Sequence, residues 1–123
     1  MSSKKPHRNL IAWQKAMDLA VKIYGVTNKF PKEEIYGLTS QIRRAAVSVP
    51  SNISEGAANR TALQFSNFLS NSIGSLNEID TQLELGLRLG YLSKSDYDPI
   101  YKLLDDCIAL TYGLRKSIKK SKE

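Results

Sequence analysis

A polar strip in residues 42–56, IRRAAVSVPSNISEG, and the residues just before it carry the side chains best suited to chemistry. At helical spacing this strip comprises Gln41, Arg44, Ser48, Asn52 and Glu55. A similar line on a later segment comprises Asn71, Ser75, Glu78 and Gln82. The carboxylates of Glu55 and Glu78 could together hold a Mg²⁺ ion, which prefers oxygen ligands. No third carboxylate stands at a suitable spacing and Arg44 competes for both, so we expect no metal site.

Other catalytic groups are scarce in this chain of 123 residues. Its one histidine, His7, lies near the N-terminus, so a Ser-His or Cys-His nucleophile pair is not expected. Its one cysteine, Cys107, falls on an apolar helical face and is expected to be a buried, inert thiol. The seven glycines form no phosphate-binding loop. The sequence therefore predicts a protein that is not an enzyme and needs no cofactor.

Positive charge gathers at the two ends of the sequence. The formal net charge is +6, of which residues 1–8 hold +3 and residues 115–123 hold +4, while the stretch between them carries −1. The basic residues at the ends are Lys4, Lys5, Arg8, Arg115, Lys116, Lys119, Lys120 and Lys122. Clustered lysines and arginines are the usual source of phosphate contacts. We add Arg43, which is expected to face outward, to this candidate nucleic-acid-binding set.

Four segments show the three-and-four spacing of apolar residues that is typical of amphipathic helices. They cover about residues 9–29, 33–58 and 61–89, and a last one from Ser93 to Ile118. Asn9, Thr61 and Ser93 are predicted N-caps, and Gly90 is predicted to end the third helix. Short links force antiparallel neighbours, so we predict an all-α, up-down-up-down antiparallel four-helix bundle. In that topology both basic ends lie at the same end of the bundle.

Domain boundaries follow from the same pattern. We expect a basic flexible tail at residues 1–8, the bundle at 9–118 and a basic C-terminal tail at 119–123. Pro50 interrupts the second helix, where it removes a backbone N–H and crowds the preceding turn. The helix is expected to kink there, or to break and restart with Ser51 as a new cap. The two polar lines lie beside the core, so they could form a hydrogen-bonded seam in which Arg44 pairs with Glu78 or Glu55.

Aromatic and apolar positions suggest self-association. Trp13, Tyr24, Phe65 and Tyr97 lie on apolar arcs and are expected in the core. The third helix is also apolar outside its main stripe, and a helix that is apolar on two sides usually has two partners. One partner is the core; the other could be a neighbouring subunit, although a wide core contact would also explain the pattern. The residues outside the stripe are Phe68, Ile73, Leu85 and Leu87.

The second-helix segment YGLTSQIRRAAVSVPSNISEG, residues 36–56, resembles the signature of a bacterial family of four-helix bundles. That family includes proteins encoded by intervening sequences in 23S ribosomal RNA genes, and an accessory protein of diversity-generating retroelements is similar. AWQKAMDLAVKIY, FLSNSIGSLNEIDTQLELG and GYLS resemble its other elements. The resemblance implies a ring-like homo-oligomer, commonly a pentamer, with suspected nucleic-acid association and no established catalysis. The family's frequent NIAEG reads NISEG here. Its frequent arginine in the third helix is missing from residues 69–71, which implies a less basic surface there.

Two functions remain open from the sequence. The first is an RNA- or DNA-binding, or ribonucleoprotein-associated, accessory protein that uses the basic end. The second is a scaffold whose nearly neutral body docks another protein. A metal-dependent hydrolase is a third, weaker hypothesis. No apolar run is long enough to span a membrane and no signal peptide is recognisable, so a cytoplasmic location without membrane contact is expected.

Overall fold

The computed structural model describes residues 5–59 and 61–121, with side chains through Lys119. It contains α1 (Ile11–Thr27), α2 (Leu38–Ala57), α3 (Ala62–Arg88) and α4 (Lys94–Ser121), with short 3-10 turns at Pro6–Asn9 and Lys32–Glu34. Each helix packs against the next, and α4 packs back against α1. The four helices thus form a square in which α1 and α3 occupy opposite corners. The predicted all-α four-helix bundle is confirmed.

Helix ends follow local sequence signals in the second half of the chain. The Thr61 hydroxyl accepts a hydrogen bond from the Gln64 backbone N–H at 3.1 Å, and Ser93 accepts one from Asp96 at 3.2 Å. Gly90 has a φ of 79°, a left-handed conformation that glycine adopts without steric cost. These three predictions are confirmed.

The start of α1 and the end of α4 differ from the prediction. Asn9 does not cap α1, because Pro6–Asn9 closes into a 3-10 turn and Leu10 occupies the cap position without a side-chain hydrogen bond. The predicted tail at residues 1–8 therefore includes the first residues of this 3-10 turn, and its flexibility stays a prediction. At the other end, α4 continues to Ser121, past the predicted boundary at residue 119.

The core is built from aliphatic side chains of all four helices. Ile23, Ile42, Leu76 and Leu104 are fully buried, one from each helix. Full burial of such a side chain contributes about 1.5–3 kcal/mol relative to exposure. Cys107 is also fully buried, as predicted, and burial raises the pKa of its thiol to about 12.

Most of the second apolar face of α3 is used within the bundle. Ile73 is buried, Phe68 is half-buried against α2, and Leu87 packs against the core; Leu85 remains exposed. The wide core contact thus explains this face better than a neighbouring subunit does. Among the aromatic residues Tyr97 is buried as predicted, whereas Tyr24 is 42% exposed, so its assignment to the core is wrong.

The α2 helix runs through Pro50 without a break, so the prediction of a new cap at Ser51 is wrong. Pro50 itself is buried, and the Ser72 hydroxyl of α3 donates a 2.8 Å hydrogen bond to the Val49 carbonyl beside it. This buried bond between helices and the surrounding packing offset part of the cost of an interior proline, about 3 kcal/mol. A bend at Pro50 stays a prediction.

Two glycines mark where elements meet closely. A Cβ on Gly56 would lie 2.8 Å from both Phe65 Cδ1 and Phe68 Cβ, so α2 and α3 converge too tightly here for any side chain. A Cβ on Gly86 would lie 3.3 Å from Phe30 Cζ, in the segment that joins α1 to α2. The glycine of the NISEG motif therefore has a packing role.

Candidate nucleic-acid interface

A basic cleft of about 400 Å³ lies along the last turns of α4. Among the described residues it is lined by Tyr112, Gly113, Arg115, Lys116 and Lys119. These positions recur at three- and four-residue intervals, which places the four side chains on one face of the helix. The two lysines are exposed, and Tyr112 is 45% exposed. The cleft combines cationic groups with an accessible aromatic ring.

Arg115 is held in a fixed position at the wall of this cleft. Its guanidinium donates a 3.0 Å hydrogen bond from Nη1 to Ser70 Oγ on α3, and it lies over the Tyr112 ring at 4.9 Å from the centroid. A cation over an aromatic face is attracted by the ring's quadrupole. Ser70 belongs to the stretch 69–71 where the resemblance implied a less basic surface. The structure corrects that expectation, because α4 supplies the positive charge there.

The N-terminal basic residues lie on a different side of the bundle. Arg8 stacks over the Trp13 ring at 5.3 Å, and His7 packs edge-on to the same ring at 5.0 Å. The turn that carries them contacts α2, whereas Arg115 contacts α3. Arg8 therefore belongs to the α1–α2 side and does not join the cleft. Lys5 is exposed near it.

Both basic regions nevertheless lie at one end of the bundle. Residues 9–12 line a second cleft together with Leu110 and Leu114, which places the start of α1 beside the last turns of α4. The prediction that both termini lie at the same end of the bundle is thus confirmed for the described residues. Lys4, Lys122 and the side chain of Lys120 lie outside the described residues.

Arg43 does not face outward as predicted. Its Nε donates to Thr27 Oγ1 at 2.8 Å, one terminal nitrogen donates to Asn28 Oδ1 at 3.0 Å, and its guanidinium lies 4.7 Å from the Tyr24 ring centroid. Thr27 is buried and donates its own hydroxyl proton to the Ile23 carbonyl at 2.7 Å. Arg43 is therefore a clamp that joins α2 to the end of α1, and we remove it from the candidate nucleic-acid-binding set.

The polar seam between α2 and α3 forms in part. Ser75 Oγ donates to Ser48 Oγ at 2.9 Å, and the Asn52 amide donates to the same hydroxyl at 3.0 Å. Toward the start of α2 the seam opens into a polar groove of about 480 Å³. Gln41, Arg44, Ser48, Ser75, Glu78 and Gln82 line it, together with Tyr36, Ser40 and Ala45.

Arg44 lies on the groove, but it does not pair with a carboxylate as predicted. Within residues 5–59 and 61–119, no ion pair joins it to Glu78 or to Glu55, and all three side chains are exposed. Solvation of an exposed charge removes the need for a partner. No group of three or more His, Cys, Asp and Glu residues in the described part of the chain is arranged to hold a metal ion.

At the end of the bundle opposite the basic cleft, two carboxylates link neighbouring segments of the chain. Glu34 accepts hydrogen bonds from the Leu38 backbone N–H at 3.0 Å and from the Tyr91 hydroxyl at 2.9 Å, which together lower the pKa of Glu34. It thereby caps α2, because its carboxylate satisfies the first backbone N–H of that helix. Lys29 pairs with Asp96 at 3.0 Å and lowers the pKa of that carboxyl.

Comparison with known proteins places the fold. Residues 8–113 match the family described as 23S rRNA-intervening sequence protein. The chain belongs to this family. A crystal structure from Bacteroides thetaiotaomicron, a protein of unknown function from the S23 ribosomal protein family, superposes with a TM-score of 0.79. The two are 23% identical, over 86% of this chain and 96% of the other. No curated protein matches the sequence.

The match to the 23S rRNA-intervening sequence protein family stops at Gly113, inside the basic cleft. Tyr112 lies within the matched range, whereas Arg115, Lys116 and Lys119 follow it. The matched range covers most of the bundle, and three cations of the cleft lie just beyond it. None of the helices in the described part of the chain is long and apolar enough to cross a membrane.

Sequence reasoning missed the aromatic component of the cleft. Tyr112 lies off the apolar arc of α4, next to the core position Thr111, so the apolar pattern does not single it out. The available signal was its spacing: Arg115, Lys116 and Lys119 follow Tyr112 by three, four and seven residues. An exposed aromatic residue interleaved with cations at helical spacing is typical of a nucleic-acid-binding face.

Proposed function

We propose that this protein is a non-enzymatic, oligomeric accessory protein that binds RNA or DNA through phosphate contacts at the basic cleft of α4. The observation that carries the proposal is the cleft itself, where Arg115, Lys116 and Lys119 present three cations on one helix face. Phosphate neutralisation by lysine and arginine is the main source of sequence-independent affinity for nucleic acids. The family resemblance, which implies a suspected nucleic-acid association, supports the same proposal.

Self-association would multiply a weak site. An exposed apolar patch comprises Met17, Val21 and Tyr24 on α1, with Val47 on α2. The three α1 residues follow each other by four and three positions and thus share a face. Arg43 of α2 lies over the Tyr24 ring of α1. Val47 follows Arg43 by one helical turn. Because α1 and α2 are antiparallel, Val47 lies at about the level of Val21. This patch is the candidate subunit contact in a ring, which the family resemblance suggests is a pentamer.

The phosphate-binding proposal is tested by binding as a function of salt. Fluorescence anisotropy with a labelled RNA would compare the wild type with the double variant Lys116→Gln/Lys119→Gln. The expected result is weaker binding and a salt slope smaller by about 2, one for each lysine replaced. The matched control, Lys22→Gln/Lys102→Gln, removes the same charge from exposed positions elsewhere. Equal reductions of affinity in the two double variants, or no binding by the folded wild type at low salt, would refute the proposal.

The subunit contact is tested separately by light scattering after size-exclusion chromatography. Val21→Glu is expected to give a smaller molar mass than the wild-type oligomer, because it places a charge in the apolar patch, where Val21 is 69% exposed. Leu63→Glu, at a 58% exposed site on α3, is the control and is expected to leave the mass unchanged. An unchanged mass for Val21→Glu would exclude this patch as the contact.

A protein-docking scaffold is the second candidate, and the same apolar patch favours it. The patch belongs to the nearly neutral body and not to the basic end. A wild type that stays monomeric in the light-scattering experiment and binds no nucleic acid would support this second function, with the α1–α2 patch as the docking surface.

A further inference from the structure

We propose that the basic cleft is a site for unpaired nucleotides, in which one base stacks on the Tyr112 ring while Lys116 and Lys119 contact the flanking phosphates. The preferred ligand is single-stranded RNA or single-stranded DNA, which the cleft binds more tightly than a duplex. The inference rests on the proposed function and adds the class of nucleic acid that the cleft selects.

The Tyr112 ring is prepared for stacking. Arg115 lies over it at 4.9 Å from the centroid and is itself fixed by the 3.0 Å hydrogen bond to Ser70. Among the described residues Arg115 is the only group found stacked on this ring, and Tyr112 remains 45% exposed. One side of the ring is thus supported by a cation while much of its surface stays accessible. Because the ring is already oriented, a base that stacks on it loses little of its binding free energy to ordering the site.

Stacking on a side chain requires a base that is free of its own neighbours. The bases of a duplex are stacked on each other, so their faces are not available, whereas bases in single strands and loops can be splayed onto aromatic residues. A surface made of charge alone would bind both forms. The aromatic ring in a concave cleft of about 400 Å³ adds a contribution that only the single strand can use.

The two lysines stand where the backbone of such a strand would pass. Lys116 and Lys119 follow Tyr112 by four and seven residues, which corresponds to a rise of about 6 Å and about 10 Å along the helix. Both are exposed, and no ion pair within the described residues neutralises either of them. They are thus free to contact phosphates on the same side of the stacked base. A strand that follows the helix would place successive phosphates along this line.

The test compares single strands with a duplex for the full-length protein. Anisotropy titrations at one fixed salt concentration would use a 12-nucleotide RNA without self-complementarity, the DNA of the same sequence, and the RNA annealed to its complement. Tyr112→Leu is expected to weaken binding of the single strands between about 5-fold and about 150-fold, which is the range of base–aromatic stacking. Duplex binding is expected to stay within about 2-fold, because phosphate contacts alone support it.

Two controls keep the result specific. Tyr36→Leu removes a 95% exposed tyrosine that lies outside the cleft and is expected to leave all three affinities unchanged. Tyr112→Trp retains a stacking surface and is therefore expected to bind single strands about as tightly as the wild type, unlike Tyr112→Leu. Circular dichroism of each variant checks that the bundle is folded. The RNA and DNA arms show which single strand the cleft prefers.

The outcomes separate this inference from the proposed function. If Tyr112→Leu has no effect, or weakens duplex and single strands equally, the stacking site is refuted. If Lys116→Gln/Lys119→Gln still reduces binding in that case, the phosphate-binding function survives. If the folded wild type binds none of the three probes, both proposals fail.

Discussion

Replacement of Gly56 by alanine tests whether the convergence of α2 and α3 is as tight as the structure indicates. The added Cβ would lie 2.8 Å from Phe65 Cδ1 and 2.8 Å from Phe68 Cβ. Non-bonded carbons prefer separations of about 3.5–4.0 Å, so each contact must open by roughly 0.7 Å or more. Phe65 can move its ring, but the Cβ of Phe68 is bonded to the backbone of α3. The helices themselves must therefore move apart.

The expected magnitude combines two opposed effects. Overpacking of a close contact costs about 1–3 kcal/mol, and a clash with a Cβ that cannot rotate away favours the upper half of that range. Alanine in a helix interior gains about 1 kcal/mol over glycine. We therefore expect Gly56→Ala to lower the free energy of unfolding by about 1–2 kcal/mol. Gly74→Ala is the matched control: it lies in α3, is exposed, and has nothing within 4 Å of its added Cβ, so we expect about 1 kcal/mol of stabilisation.

The assay is urea denaturation followed by circular dichroism, at several protein concentrations because association can raise apparent stability. With a slope of about 1.5 kcal/mol per molar urea, the two variants are expected to shift the midpoint in opposite directions by roughly 1 M. A Gly56→Ala variant as stable as Gly74→Ala would refute the argument, since it would mean that α2 and α3 are not in contact at this glycine.

Three further predictions concern the clamp, the cap and the thiol. Arg43→Ala is expected to lower the free energy of unfolding by about 2 kcal/mol in urea denaturation, because it removes charged hydrogen bonds to the buried Thr27 and to Asn28. RNA affinity is expected to stay unchanged, and weaker RNA binding at unchanged stability would restore Arg43 to the interface. Hydrogen bonds from Leu38 and Tyr91 lower the pKa of Glu34 in the folded state, so Glu34 stabilises the fold above its ordinary pKa of 4.5 and loses this effect as the pH falls through the lower folded pKa. Glu34→Gln is expected to flatten this acid dependence of the denaturation midpoint, and an unchanged profile would contradict the cap. Cys107 is expected to react with a maleimide at pH 7 only after unfolding, because burial keeps its pKa at about 12, and rapid labelling of the native protein would show that the core is open.

Local signals explain why much of the fold could be predicted from the sequence. The N-cap at Thr61 and the left-handed turn at Gly90 depend only on residues within one turn, and both occur as expected. The spacing of Ile42 and Leu76 placed the core correctly, because burial follows helical periodicity. Asn9 failed as a cap because Pro6 started a 3-10 turn in the residues before it.

The errors share a physical cause: helical periodicity does not show which groups on neighbouring helices lie within reach of a long side chain. A helical wheel places Arg43 away from the core, but it cannot show that Thr27 and Asn28 offer oxygens at the end of α1. The same limit applies to Arg44, whose predicted ion pair depended on the distance between two helices. The stacking of Arg115 on Tyr112 could not be predicted either, because the arginine is held in place by Ser70, which is 45 residues away in the sequence.

The fully buried part of α4 ends before Gly113, and this has an evolutionary consequence. The fully buried residues of α4, Leu104, Cys107 and Thr111, all precede it. A gain, loss or exchange of charge in the turns beyond it would alter what the molecule attracts while leaving the fully buried core intact. Selection could therefore retarget this end of α4 in small steps, each nearly neutral for folding. Proteins that share this bundle could in this way come to differ in the charge at this end while each intermediate stays folded.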